Sequence, residues 1–417
     1  MKRERKPGGT TRTMFRVAWV FLLVTAAVGV LLRAKAVLPL EGVDYSHLLH
    51  THSHVAFLGW VHDAFFALAC VLFVSKERMR GYVRLFAWTQ LAVVGMLVTF
   101  PLQGYARESI AFSTLHMVAA FVFVVRLWKE PGGSPAARGF LRAALVFVVL
   151  SGLGPLALGP LAATGHGGSV WYHLSIYWYL HLQYDGWFVF FLLAAGLQAL
   201  ARAGVDLDAL AARRALGWLA GGCFFGYALS TLWMEPHWTL YVVAGAAGGA
   251  QLVGAVSLAR AVGHPGWRVL ARLPAFERRL LVLALGALAL KFALQFAGAF
   301  PVLATFAFGS RHMAIAFLHL VFLGFATPAL LAAARICGWM RTTRVASVGV
   351  VVFVVSAALG EALLLPPSFA LLAGWTMPTS LPWWFLAAAL GTAGGLSLAT
   401  SAVLGGDSFR RPTATTR

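Results

Sequence analysis

Residues 17–32 have the sequence VAWVFLLVTAAVGVLL, a run without a charged side chain between Arg16 and Arg33. A spanning helix needs about 20 predominantly apolar residues, so this stretch and its flanks predict a transmembrane helix. Eleven similar stretches follow it. The twelve predicted segments are 14–36, 52–74, 82–101, 109–128, 139–161, 175–201, 213–233, 238–260, 280–300, 312–334, 345–365 and 382–404.

The composition agrees with a membrane protein. The chain has 417 residues, of which 60% are hydrophobic and 11% charged, whereas a soluble domain is about half apolar and a quarter charged. A soluble enzyme, a disordered chain and a disulfide scaffold are therefore excluded. We predict an all-α polytopic membrane helix bundle of about 12 transmembrane helices, forming one domain over residues 1–417 without an evident internal repeat.

The segment boundaries rest on local signals. Asp44 is a candidate cap for a second helix that starts earlier than its apolar run. Glycine and proline mark short connections, as at residues 131–133 and 152–155.

The net charge of +19 indicates how the chain is oriented across the membrane. With a cytoplasmic N-terminus, 28 of the 33 Lys and Arg residues fall on the inner side, as the positive-inside rule requires. The basic N-terminus 1–13 and the tail 405–417 are therefore predicted to be cytoplasmic, with the chain in a bacterial inner membrane and no nucleic-acid partner. The first apolar stretch is too long for a signal peptide, so it is predicted to be an uncleaved anchor.

The histidines are distributed asymmetrically. Of 13 histidines, only His264 falls in an inner loop, and the other twelve lie in outer loops or outer halves of spans. Ionisable groups within a membrane are costly and usually functional, and imidazole is the commonest metal ligand. The outer half is therefore the predicted cofactor region.

The second span carries the densest group. His50 and His54 share a helix face, whereas His52 and His54 are about 200° apart, so one helix is able to serve a cofactor on each side. His62 follows two turns deeper. The alternative interpretation is a polar cluster at the membrane interface.

Three other spans place histidines at similar depth. His116 lies in the fourth span, where a ring bonded to a backbone carbonyl is the alternative to a ligand. In the sixth span, His181 precedes Tyr184 and Asp185 on one face, within an aromatic sequence that is also typical of an interfacial belt.

In the tenth span, His312 and His319 are seven residues apart and therefore lie within about 20° of each other around the helix. Arg311 at the outer mouth is a candidate partner for a haem propionate, or an interfacial arginine that extends toward the headgroups.

Mid-depth charges are a further candidate feature. Asp63, Asp185 and Lys291 lie near the middle of their spans, which is unfavourable unless they are paired or hydrated. A proton relay and a structural Asp–Lys pair are both open, and Asp185, Tyr184 and Lys291 are the candidate catalytic groups.

Twelve spans with histidines on the second, sixth and tenth resemble the catalytic subunit of the haem–copper oxidase superfamily, which includes nitric oxide reductases. Trp178-Tyr-Leu-His181 is similar to that family's sixth-span motif, with Leu for Gly. The resemblance implies that His52 or His54, together with His312 or His319, binds haem iron, and that His181 binds a second metal. His116 and His62 are further candidate metal ligands.

The chain departs from that pattern in two places. The family's adjacent His-His pair on the seventh span is missing, and His237 stands alone one span later. A His-x-His sequence occurs on the second span instead, where His52-Ser-His-Val-Ala-Phe-Leu-Gly59 is similar to the NnrS-type haem and copper membrane proteins.

The leading hypothesis is an oxidoreductase with one or two b-type haems, and with copper or non-haem iron as a further metal. It would transfer electrons to, or bind, O2 or NO, with a periplasmic electron donor or quinol and other respiratory subunits as partners. The cysteines form no Cys-x-x-Cys-His site, so covalent c-type haem is excluded. The alternatives are a transporter or channel for a metal ion or small solute that uses the outer histidines, and an NnrS-like haem or copper accessory protein.

Overall fold

The computed structural model describes residues 9–205 and 207–405, with the backbone alone at residues 371–373. Within these ranges the chain is helical and contains no β-strand. Twelve helices are long and apolar enough to cross a membrane, and we number them α1 to α12. They are Gly9–Ala34, Tyr45–Leu72, Met79–Gln103, Arg107–Trp128, Pro135–Ala163, Val170–Arg202, Ala209–Met234, Trp238–Ala271, Ala275–Ala297, Arg311–Ile336, Arg344–Ala370 and Leu381–Leu404. A short helix, Pro301–Phe308, precedes α10.

The predicted all-α membrane bundle is therefore confirmed. The surfaces of the peripheral helices support it, because large apolar side chains such as Trp88, Val98 and Leu153 are more than half exposed, as lipid contact requires. The predicted cytoplasmic tails fall largely outside the described residues, since residues 1–8 and 406–417 are not described.

The start of α2 agrees with the sequence. The Asp44 carboxylate accepts the backbone N–H of His47 at 2.9 Å and caps the helix. This hydrogen bond lowers the pKa of Asp44.

The prediction of a connection at residues 152–155 is wrong, because α5 continues through them to Ala163. The glycines there allow close helix packing. A Cβ at Gly152 would lie 2.6 Å from the Phe121 ring, and one at Gly154 would lie 3.0 Å from Tyr179 Cβ.

Three units of four helices form the bundle. In each unit the last two helices pack as a hairpin: α3 with α4, α7 with α8, and α11 with α12. The units join through α4 with α5, α8 with α9, and α12 with α1, so the chain closes into a ring.

The second helix of each unit lies at the centre of this ring. Phe57 of α2, Phe188 of α6 and Phe322 of α10 contact one another, with ring centroids 4.5 to 5.5 Å apart. A hydrogen bond from Trp60 to Thr327, 3.0 Å long, also joins α2 to α10. These contacts place α2, α6 and α10 side by side.

All three central helices contain a π-helical turn directly after a histidine. The turns are Val55–Val61 after His54, Leu182–Phe188 after His181 and Leu320–Ala326 after His319. Each shares the pattern His-x-x-aromatic-x-Gly-aromatic. The chain thus carries a threefold internal repeat of four spans, contrary to the expectation of a chain without an evident repeat.

The glycine of each repeat contacts the preceding helix. A Cβ at Gly59 would lie 2.8 Å from the Phe21 ring, one at Gly186 2.5 Å from Phe147 Cβ, and one at Gly324 3.3 Å from Ala287 Cβ. The repeated glycine therefore sets how closely the first and second helices of each unit approach.

We expect Gly186→Ala to lower the free energy of unfolding by about 1–3 kcal/mol, the usual cost of overpacking. Its control is Gly196→Ala in the same helix, where the added Cβ meets no atom of the described chain within 4 Å. Thermal unfolding of both purified variants in detergent checks this. Equal melting temperatures would contradict the close-packing role of the repeated glycine.

Candidate cofactor site

The three central helices differ between their two halves. At the end where α2, α6 and α10 begin, which we call the histidine-rich end, residues 52–54, 174–180 and 315–320 are only half-buried, although they belong to the central helices. Beyond the phenylalanine contact, residues 59–70 and 185–191 are fully buried. The centre of the bundle is thus open toward the histidine-rich end and closed below it.

His52 is oriented by α1. Its Nδ1 lies 3.0 Å from the Thr25 carbonyl oxygen, so Nδ1 carries the proton and Nε2 keeps its lone pair. A Cβ at Gly29 would lie 3.1 Å from the His52 ring, so this glycine makes room for the imidazole. His52 also interacts electrostatically with His319 and Arg33.

His319 is oriented in the same way by α11. Its Nδ1 lies 2.9 Å from Glu361 Oε1, and the two side chains are 31% and 24% exposed. A carboxylate behind a ring nitrogen is the usual partner of a metal-binding histidine. His52 and His319 thus interact electrostatically, and each gives Nδ1 to a protein acceptor and leaves Nε2 available.

Two arginines flank this pair. Arg33 lies over the Phe385 ring at 4.5 Å, and Arg311 over the Tyr45 ring at 5.5 Å. The two guanidinium groups interact electrostatically with each other, and Arg33 also interacts with Glu361. An anionic group bound between them would relieve their repulsion.

His312 interacts with the same two arginines but has other ring and hydrogen-bond partners than His319. Its ring stacks on Phe385 at 6.3 Å, and its Nδ1 lies 3.4 Å from the Ser310 hydroxyl. The seven-residue spacing predicts that His312 and His319 share a helix face, but the two rings have different partners.

His50 and His54 do share a face, as the spacing predicts. Both rings contact Phe100 and Tyr105. His54 uses both ring nitrogens, because Nδ1 is 2.9 Å from the His50 carbonyl oxygen and Nε2 is 3.2 Å from the Tyr105 hydroxyl. His52 and His54 thus lie on opposite sides of α2. His52 uses only Nδ1 for a hydrogen bond, whereas His54 uses both ring nitrogens.

His62 and His116 form a second histidine pair, deeper in the bundle. Their ring centroids are 4.8 Å apart at an interplanar angle of 71°, and their side chains are 5% and 2% exposed. Within the described part of the chain, Nε2 of each ring has no hydrogen-bond partner. His116 bonds to the Leu58 carbonyl through its other nitrogen.

His181 is arranged differently from the other histidines. Its Nε2 lies 2.7 Å from the Cys223 carbonyl oxygen, so the nitrogen that is free in His52 is occupied here. Its ring lies 5.9 Å from that of Tyr184, whose hydroxyl bonds to Ser230. The expected metal ligation by His181 stays a prediction, and it would require the other nitrogen.

Asp185 is the centre of a buried network. Lys291 donates to one carboxylate oxygen, and Gln251 and Gln295 donate to the other at 2.8 and 3.2 Å. Lys291 also donates to Gln295 at 2.7 Å. Of the two arrangements left open by the sequence, the structure contains the Asp–Lys pair.

This network leaves little space for a metal. Ligand atoms of His181, Asp185 and Cys223 lie within 4.8 Å of one another, but both oxygens of Asp185 already accept hydrogen bonds. The third mid-depth charge, Asp63, accepts from Gln90 at 2.8 Å and is separate from Lys291.

Several contributing residues were missed by sequence reasoning. Thr25, Gln251 and Gln295 give no signal of their own, because they are single polar residues within apolar spans. Glu361 was visible as a charge within a span, and its position opposite His319 depends on tertiary packing.

Comparison with known proteins gives no family assignment. No protein-family model matches the chain, and no curated protein matches it significantly.

We expect Lys291→Met to lower the free energy of unfolding by about 3–5 kcal/mol, because it leaves a buried Asp185 carboxylate unpaired. The double variant Asp185→Asn, Lys291→Met removes both charges and should regain part of that loss. Thermal unfolding in detergent checks both. A double variant less stable than Lys291→Met would contradict a structural ion pair.

Proposed function

We propose that this chain is a haem-binding integral membrane protein of the haem–copper oxidase type, in which His52 and His319 bind a b-type haem at the histidine-rich end. The observation that carries the proposal is the shared arrangement of these two rings. Each gives Nδ1 to a protein acceptor, the Thr25 carbonyl or the Glu361 carboxylate, and keeps Nε2 for iron.

The surroundings of the pair fit such a group. The central helices are only half-buried where they begin, and the triad Phe57, Phe188 and Phe322 forms an apolar floor below this accessible end. Arg33 and Arg311 at the mouth suit the two propionates. Helix bundles commonly bind cofactors between facing side chains in this way.

The ligand set favours electron transfer. Haem with two imidazole ligands supplies one-electron redox chemistry, and O2 or NO is the acceptor implied by the family resemblance. The histidine-rich end of the bundle is accessible, which suits a periplasmic electron donor or quinol. In this orientation the termini are cytoplasmic and the chain lies in a bacterial inner membrane.

The transporter alternative gains no support from Asp185 and Lys291. A transport site needs polar groups that exchange partners with a substrate, whereas this pair and its two glutamines are hydrogen-bonded to one another and buried. The NnrS-like accessory alternative shares the haem site and differs from an oxidase only in turnover.

The chain expressed with ample haem should show a Soret band and a low-spin difference spectrum upon reduction. His52→Ala and His319→Ala should each abolish the low-spin signal, because the haem would lose one of its two imidazole ligands. The matched control is His237→Ala, an exposed histidine at the same end. A haem-free wild type, or a low-spin spectrum retained in both variants, would reject the proposal.

Glu361→Gln should retain haem and raise its midpoint potential. A carboxylate bonded to Nδ1–H increases the electron donation of His319 and stabilises ferric iron, and a neutral amide does so less. Potentiometric titration against Glu235→Gln, an exposed glutamate at the same end, measures the difference. A potential unchanged or lowered relative to that control would contradict this role.

A further inference from the structure

We infer that His62 and His116 form a copper(I) site on the other side of α2 from the proposed haem. The inference is independent of haem binding. It rests on two buried imidazoles whose Nε2 atoms lack a hydrogen-bond partner within the described residues, and whose rings lie 4.8 Å apart.

The tautomer of His116 is determined by α2. Its Nδ1 donates to the Leu58 carbonyl, which belongs to the π-helical turn Val55–Val61. Since helical carbonyls point along the axis toward the C-terminus, this bond holds the ring against α2 on the side of His62. His116 Nε2 therefore carries a bare lone pair in a buried position.

The π-helical turn also aligns the histidines of α2. Over eight α-helical residues, His62 would be rotated by about 80° from His54. One extra residue in the turn brings that rotation back to roughly −20°. This agrees with the electrostatic interaction of His116 with both His54 and His62.

The ring geometry accommodates a metal. A metal about 2 Å from each Nε2 would lie about 3 Å from each ring centroid, and two such distances span the centroid separation of 4.8 Å.

The surroundings favour a monovalent ion. Phe66, Phe123 and Trp187 lie within 6.5 Å of the His62 ring, and burial of charge among aromatic groups is costly. The neighbouring Asp63 is fully buried, and its Oδ1 has no partner among residues 9–205 and 207–405. One carboxylate balances one positive charge, and imidazole nitrogen is a suitable copper ligand.

Metal analysis tests the site in the full-length protein. The purified chain, loaded with the copper(I)–acetonitrile complex under argon, should retain about one copper per chain. The copper absorption edge should indicate copper(I) with nitrogen ligands at about 2 Å. This measurement needs no variant, so misfolding of a mutant cannot obscure it.

His62→Gln and His116→Gln should each lower the copper content more than tenfold without changing the haem content. The control is His173→Gln, an exposed histidine. Asp63→Asn should weaken copper(I) affinity roughly tenfold by loss of a nearby charge, measured by competition with bicinchoninate.

Four outcomes would overturn the inference. They are a copper-free wild type, stoichiometric copper in both glutamine variants, zinc in place of copper at these two residues, and an unchanged affinity in Asp63→Asn. A purified chain that binds copper but no haem would reject the proposed function and would not contradict the copper site.

Discussion

The cost of an unpaired polar atom inside an apolar bundle governs the placement of the histidines. Such an atom costs about 1–3 kcal/mol, so most imidazoles of the bundle give one nitrogen to a protein acceptor. The acceptors of His52, His116 and His181 are backbone carbonyls, and that of His319 is Glu361. Ring orientation is thus held by neighbouring helices, and the second nitrogen determines what each histidine is able to bind.

The π-helical turns connect this constraint to the fold. An extra residue in a helix changes its hydrogen-bond pattern, and such turns are frequent at functional sites. Here the turn after His54 provides the Leu58 carbonyl for His116, and Gly59 packs against Phe21. Because the same turn and glycine occur in α6 and α10, a single local device positions all three central helices.

The sequence predicts much of the fold because hydropathy and helix periodicity are local. The twelve spans, the Asp44 cap and the opposite faces of His52 and His54 follow from it. Partner choice is not local: the sequence does not show whether Lys291 meets Asp63 or Asp185, or that Glu361 faces His319. The repeat was recognisable in principle from the glycine five residues after His54, His181 and His319. Gly152 was wrongly predicted to lie in a connection, because one sequence does not distinguish a glycine that allows helix packing from a glycine in a loop.

The three repeats have the same frame and different chemistry. The residue before the repeated glycine is Leu58 in α2, Asp185 in α6 and Leu323 in α10. The leucines accompany histidines whose Nδ1 is bonded and which face the open centre or a neighbouring aromatic ring. In α6 the aspartate attracts Lys291, Gln251 and Gln295 instead, and His181 turns its Nε2 to the Cys223 carbonyl. Where α2 and α10 carry a leucine, α6 therefore carries the centre of a buried hydrogen-bonded network. It follows that α6 is joined to α8 and α9 through this network, while α2 and α10 carry the two histidines to which we assign the proposed haem.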